Sequence, residues 1–226
     1  MTIIKSVNLG KTFHNDTSSI DAIKDCNIEI KKGEFVVISG SKASGKTTLL
    51  RLLGGYERPS EGSVFISNNN ISLYDDDEMA VLRKREVGYL FQNDSLIPEL
   101  TVHENIIMPM ILGRKRCDED YYNDLSDRLH ISGVLSRYPK QLSANQLQCV
   151  AYARALIHKP NIILMDEPIN HLYHHMDMEV FDYLVDAVYQ YHKTLIIVTN
   201  NSNISIYADH VIKLRKGSVI EDKYTP

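Results

Sequence analysis

Residues 34–53 read EFVVISGSKASGKTTLLRLL. The stretch changes character twice. Glu34 to Ser39 is an apolar, β-branched run with the length of a buried strand. Leu49, Leu50, Leu52 and Leu53 then recur as they would along the buried side of a helix. Between the two, Gly40-Ser41-Lys42-Ala43-Ser44-Gly45-Lys46-Thr47 satisfies the pattern GxxxxGK[ST] at every fixed position. A loop of this kind, entered from a strand and left by a helix, gathers backbone N–H groups around phosphate oxygens. The helix N-terminus adds partial positive charge. Lys46 is therefore expected to reach the β- and γ-phosphates of a nucleoside triphosphate and Thr47 to ligate Mg²⁺, with Gly40 to Thr48 as the phosphate-binding set.

A second acidic segment supports the first. Ile162-Ile163-Leu164-Met165-Asp166-Glu167 is an apolar strand that ends in two carboxylates. Alone, such an end could be an ordinary surface turn. Beside a phosphate loop, Asp166 is expected to hold the Mg²⁺ shell and Glu167 to polarise the attacking water as a general base.

The rest of the chain alternates. Residues 3–13 and 20–30 read as strands around the polar turn HNDTSS, and 75–158 reads as mostly helical. Asp75 to Glu78 open one helix and Arg83 to Arg85 close it, matching the helix dipole. Met176 to His192 reads as a helix and Thr194 to Thr199 as a strand, while His210–Leu214 and Ser218–Asp222 form a hairpin around Lys216-Gly217. Strands alternating with helices predict a mostly parallel sheet covered on both faces, in an α/β fold with a P-loop NTPase (RecA-like) core. An N-terminal antiparallel β subdomain and a helical subdomain at about 93–158 complete a single domain over 1–226.

Composition narrows the class. The 226 residues are 43% hydrophobic and carry a net charge of −4, which argues against nucleic acid as the main partner. Cys26, Cys117 and Cys149 show neither a disulfide nor a zinc spacing and read as reduced thiols. The first residues lack the layout of a signal peptide, and apolar runs such as Ile106 to Leu112 are too short to span a bilayer. Any membrane role needs another chain. His171, His174 and His175 have helical spacing without a companion cysteine or paired carboxylate, and read as polar loop residues rather than metal ligands.

With these blocks in place, the chain resembles the ATP-binding subunits of ABC transporters over nearly its whole length. Val87-Gly88-Tyr89-Leu90-Phe91-Gln92 is similar to the family's Q-loop, Leu142-Ser143-Ala144-Asn145-Gln146 stands where its LSGGQ signature stands, and Asp166-Glu167-Pro168 closes its Walker B segment. Leu96 to Asn105, Met108-Pro109 and Gly54 to Gly62 are similar to the MacB, LolD and FtsE branch, including BceA-type ATPases. The resemblance implies ATP and Mg²⁺ as cofactors and Phe13 as the aromatic group stacked on adenine; a core aromatic is the plainer reading of Phe13. It implies that Gln92 contacts Mg²⁺ or the water and senses the permease. Ser143, with Ala144, Asn145 and Gln146, would reach the nucleotide of a second ATP-binding subunit, in a homodimer or a heterodimer. It further implies an integral-membrane permease of the FtsX/MacB-like kind and a cytoplasmic, peripheral location on the inner face of the membrane.

The chain departs from the family pattern in several places. The signature reads LSANQ, so both glycines are replaced; Ala144 adds a Cβ, and Asn145 tolerates left-handed geometry less well than glycine. Cys149 replaces the usual arginine and Tyr173 the usual aspartate of the D-loop. Thr199-Asn200 stands where the family has Thr-His. Asn200 can donate a hydrogen bond but cannot carry a proton's charge. Ala43 replaces a frequent loop glycine and is expected to be tolerated. The departures leave two readings open, a transport ATPase with slow hydrolysis and a regulatory pseudo-ATPase that closes on ATP with little turnover.

Overall fold

The computed structural model describes residues 1–15, 18–91, 96–168 and 175–225. Its chain order is β1 (Thr2–Asn15), β2 (Ser18–Lys31), β3 (Phe35–Gly40), α1 (Lys46–Leu53), β4 (Glu61–Ile66), β5 (Asn69–Asn70), α2 (Asp76–Glu86), β6 (Val87–Leu90), α3 (Val102–Leu112), α4 (Glu119–Arg128), α5 (Ala144–Leu156), β7 (Ile162–Asp166), α6 (His175–Tyr191), β8 (Thr194–Thr199), β9 (His210–Arg215) and β10 (Ser218–Tyr224).

Strand β3 is apolar throughout because both its faces are covered. Phe35 and Val37 join one core with Ile163, Met165, Leu195 and Ile197, packed against α3 to α6. Val36 and Ile38 point the other way, into a second core with Leu49, Leu50, Leu52 and Leu53 of α1 and with Ile4, Leu9 and Ile23 of the β1–β2 hairpin. The period-two alternation of a strand thus splits one run of four residues between two interiors. Each such side chain contributes about 1.5–3 kcal/mol on burial.

The main sheet has the order β10-β9-β3-β8-β7-β6, and all its pairings are parallel except that of β10 with β9. The second sheet, β2-β1-β4-β5, is antiparallel. The parallel α/β reading is met. Three strands differ from the expectation. Val87–Leu90, inside the segment read as mostly helical, is a buried strand paired with β7. Four consecutive buried residues leave too short a signal to separate strand from helix by period. Strands β4 and β5 extend the antiparallel sheet beyond the two strands expected, since Glu61-Gly62-Ser63 opens β4 without an apolar alternation.

Register is what matters for the site. Ser39 pairs with Thr199, Asp166 with Val198, and Leu90 with Met165. Because these strands run parallel, their C-terminal ends lie along one edge. Gly40, Asp166, Glu167, Asn200 and Phe91 all leave the sheet there.

Candidate functional site

Helix α1 begins in a way that α2 to α5 do not. Asp75, Thr101, Asp118 and Ser143 cap α2, α3, α4 and α5 with side-chain oxygens. The cap position of α1 is Gly45, with φ 101° and no side-chain cap. Its first N–H groups are left to whatever occupies the loop. The loop is pinned from outside. The Gly217 N–H donates to Ser44 O at 3.0 Å. A Cβ on Gly45 would lie 2.4 Å from Ala22 O, and one on Gly40 would lie 2.5 Å from Leu214 O. Ala43 adopts φ 61°, so this replacement of glycine sits in the left-handed region. Its tolerance costs roughly 1–2 kcal/mol of local strain.

Lys46 is 6% exposed. Its Nζ donates to Gly40 O at 3.0 Å and Ser41 O at 3.1 Å, and lies 3.4 Å from Glu167 Oε1. Ser44 is buried, and its Oγ has no hydrogen-bond partner. An unpaired buried hydroxyl costs about 1–3 kcal/mol. An uncapped helix start, an orphan hydroxyl and a buried ammonium together fit a polyphosphate. Lys42, by contrast, is exposed at the loop surface. Thr48 lies partly buried in the first turn of α1.

The two residues expected to hold the metal meet directly. Thr47 Oγ1 donates to Asp166 Oδ1 at 3.0 Å. Asp166 is 1% exposed, and burial pushes its carboxyl above the usual range, with the Thr47 hydrogen bond and the Lys46 and Arg51 charges opposing. A hydroxyl and a desolvated carboxylate side by side are hard oxygen donors of the kind Mg²⁺ takes.

Glu167 follows at the strand end with φ 48°. Its N–H donates to Val198 O at 2.9 Å, and its Oε2 accepts from the Asn200 N–H at 3.1 Å. The contact from Asn200 is therefore made by its backbone, while the residue as a whole is exposed. Phe13 is 40% exposed, which removes the core-aromatic reading; Lys11 Nζ lies 5.0 Å from its ring centroid.

The signature residues Ser143 and Gln146 make their hydrogen bonds at the start of helix α5. Ser143 caps α5, with Oγ accepting from Gln146 N–H at 3.2 Å and Gln146 Oε1 accepting from Ser143 N–H at 3.0 Å. Ala144 and Asn145 form the first turn of α5. Neither has a positive φ, so the lost glycines bear on close approach and not on backbone conformation. Gln92, Asn170, His171, Tyr173 and His174 lie outside the described residues. Among the described residues, no group of three His, Cys, Asp or Glu could hold a metal ion by itself.

Three features of the site go beyond the sequence reading. Arg51, one turn beyond Thr47, supports the charge of Asp166; its spacing on the helix is the available signal. Tyr56, Tyr89 and Phe91 cluster with centroids 4.2–5.4 Å apart, just ahead of Gln92. Gln148 and Tyr152 reach the carbonyl of Pro168.

A phosphate loop on the central strand, a buried carboxylate on the strand two places along, and a helix-capping serine in a separate helical layer define an ABC-type nucleotide-binding cassette. The ABC transporter family profile matches residues 23–170, and the chain belongs to that family as an ATPase of the branch that includes LolD and MacB. The lipoprotein-releasing system ATP-binding protein LolD of Pseudomonas syringae pv. tomato is 33% identical over 221 residues, spanning 97% of both chains. The macrolide export ATP-binding/permease protein MacB of a Shewanella species is 37% identical over 94% of this chain, which spans 33% of MacB. A dimeric ATP-binding cassette solved in a post-hydrolysis state with ADP and Pi superposes with a TM-score of 0.91 at 33% identity, over 98% of each chain.

Proposed function

We propose that this chain binds MgATP as one half of a two-cassette sandwich and drives a separate membrane permease of the FtsX/MacB-like kind, with slow hydrolysis. The observation that carries the reading is a separation within the chain. Lys46, Thr47, Asp166 and Glu167 converge at one sheet edge, while the hydrogen bonds of Ser143 stay within the first turn of α5. A second ATP-binding subunit would supply its own signature serine to this loop and receive Ser143 in exchange. Gly40 to Thr48 would hold the phosphates, Phe13 the adenine, and Thr47, Asp166 and Gln92 the Mg²⁺. Glu167 would act on the attacking water. Magnesium, when bound, supplies charge neutralisation between the phosphates.

Slow turnover follows from Asn200. A neutral amide, which can donate a hydrogen bond but carries no charge, takes the place of a group that could bring charge to the transferred phosphoryl group, and the loss of one well-aimed interaction of this kind costs up to roughly 100- to 1,000-fold in rate. The whole chain, 1–226, would act as one domain with its helical part near 93–158.

Among the described residues, no helix is long and apolar enough to cross a membrane. The permease contact would lie on a groove of about 910 Å³ floored by Tyr56, Tyr89 and Phe91 and rimmed by Arg51, Arg83 and Lys84. The groove adjoins the strand end that leads to Gln92, so a permease segment seated there would press on a magnesium ligand. Its basic rim favours an amphipathic segment with an acidic residue. The chain would then sit on the cytoplasmic face of the membrane. Sedimentation of Glu167→Gln with MgATP tests the core of this reading. A nucleotide-dependent dimer is expected, and failure to take up MgATP at millimolar concentration would overturn it.

A further inference from the structure

The carbonyl of Pro168, the residue after Glu167, is held from the helical layer. Gln148 Nε2 and the Tyr152 hydroxyl both donate to it, the latter at 3.0 Å. The second amide hydrogen of Gln148 is directed at the Tyr152 oxygen, 2.9 Å away. The three groups close a ring in which each donor hydrogen has an acceptor. Gln148 and Tyr152 are four residues apart and so share one face of α5. Tyr152 is 3% exposed, and a buried ring of satisfied polar groups is rigid.

What this ring holds is strained. Glu167 has φ 48°, a conformation that costs a non-glycine residue about 1–2 kcal/mol. Such a residue persists only where its surroundings over-determine it. One restraint lies on the sheet side, where Glu167 N–H meets Val198 O. The Glu167 side chain is tied by the Asn200 N–H and the Lys46 ammonium, and one peptide further on the chain is held by the Pro168 ring, on α5. The same helix carries Ser143 at its N-terminus, about one and a half turns before Gln148. A stiff helix therefore joins Ser143, proposed above to face the partner's nucleotide, to the carbonyl of the residue that follows this chain's own carboxylate.

We infer that Gln148 and Tyr152 are positioning residues for hydrolysis. They hold Glu167 in its left-handed conformation and carry any displacement of the Ser143 end of α5 to its carboxylate. The closing of the partner against one chain's signature would thereby set the base in that same chain. The inference rests on the roles proposed above for Glu167 and Ser143.

Tyr152→Phe tests it, because the ring stays in the core and the hydroxyl alone is lost. Single-turnover hydrolysis of radiolabelled MgATP by the full chain is expected to fall about tenfold, with nucleotide Kd and Tm nearly unchanged. In a Glu167→Gln background the same substitution should produce no further fall, since it acts through Glu167. Hydrogen exchange gives a second readout that needs no turnover. Amides in the peptide 162–168 should exchange several-fold faster in Tyr152→Phe, while those in 35–40 stay as they were. An unchanged rate, an equal fall without Glu167, unchanged exchange at 162–168, or a loss of activity that merely tracks a lowered Tm would each overturn the inference. Loss of MgATP binding by the unmodified chain would instead strike at the proposed function and would show separately in the Kd.

Discussion

Glu167 Oε1 lies 3.4 Å from Lys46 Nζ, with the two side chains only 8% and 6% exposed. The base proposed for the water and the cation of the phosphate loop are thus a buried pair between the end of β7 and the start of α1. Breaking such a pair from one side leaves a desolvated charge, at about 3–5 kcal/mol. Neutralising Glu167 at constant volume is milder, because the Lys46 ammonium keeps Gly40 O and Ser41 O. Lys46→Ala is therefore expected to lower stability and MgATP affinity together. Glu167→Gln should keep both and slow hydrolysis about 100-fold or more. Urea unfolding, equilibrium dialysis and phosphate release separate the two.

Asn200→His restores a group that can carry charge at the sheet edge. Turnover is expected to rise at least about tenfold, in keeping with the value of one well-aimed donor in the transition state. The backbone N–H of residue 200 already reaches Glu167, so the fold there needs no change. A flat response in phosphate release would move the cause of the proposed slow turnover to LSANQ or Tyr173.

Ser143 caps α5 through its Oγ and, in the proposed dimer, also meets the partner's nucleotide, and one substitution can pull the two apart. Aspartate caps a helix as well as serine does, but sets a negative charge against a triphosphate. Ser143→Asp should therefore leave Tm within a few degrees of the parent and abolish MgATP-driven dimers in gel filtration. Ser143→Ala should lose about 1 kcal/mol of stability and only part of the dimerisation.

Ala43→Gly removes the Cβ from a residue at φ 61°. Relief of roughly 1–2 kcal/mol is offset by the extra freedom of an unfolded glycine, about 0.4–1 kcal/mol. A net gain of up to about 1.5 kcal/mol in urea unfolding is expected. A loss would show that the loop relaxes around alanine without strain.

His158 gives the pH dependence a sign. Burial holds its imidazole below the ordinary value, with the Val87 carbonyl, 3.2 Å from Nε2, opposing. The unfolded chain then takes up a proton near pH 6.5 that the folded chain resists. Stability is full above that pH and falls as acid approaches the depressed folded value. His158→Gln should shrink the drop in unfolding free energy between about pH 7.5 and 5.5. An identical drop in both proteins would assign the acid sensitivity elsewhere.

The local parts of the site are legible in the amino-acid order alone. Gly40 to Thr47 announces itself because a phosphate cradle is built from consecutive backbone groups, and its glycines and lysine must stand at fixed spacing. Ile162 to Glu167 is legible for the same reason, as an apolar strand with its carboxylates at the end. The left-handed turn at Ala43 and the helical turn at Ala144-Asn145 are not, since residue type only biases φ while the neighbours decide it. The short strands Val87–Leu90 and Glu61–Ile66 escape a local reading because non-local pairing, with little local propensity, creates them.

By itself, then, the amino-acid order determined which groups are available to grip phosphate and metal, and roughly where most of the strands and helices begin. Only the tertiary structure decided which of them meet: that Asp166 reaches Thr47, that Glu167 faces Lys46, and that α5 ties its capping serine to Pro168. The reason is that such meetings depend on the register between strands far apart in the chain, as with the 119 residues from Thr47 to Asp166, and on burial shared by two cores. Neither is a property of any one segment.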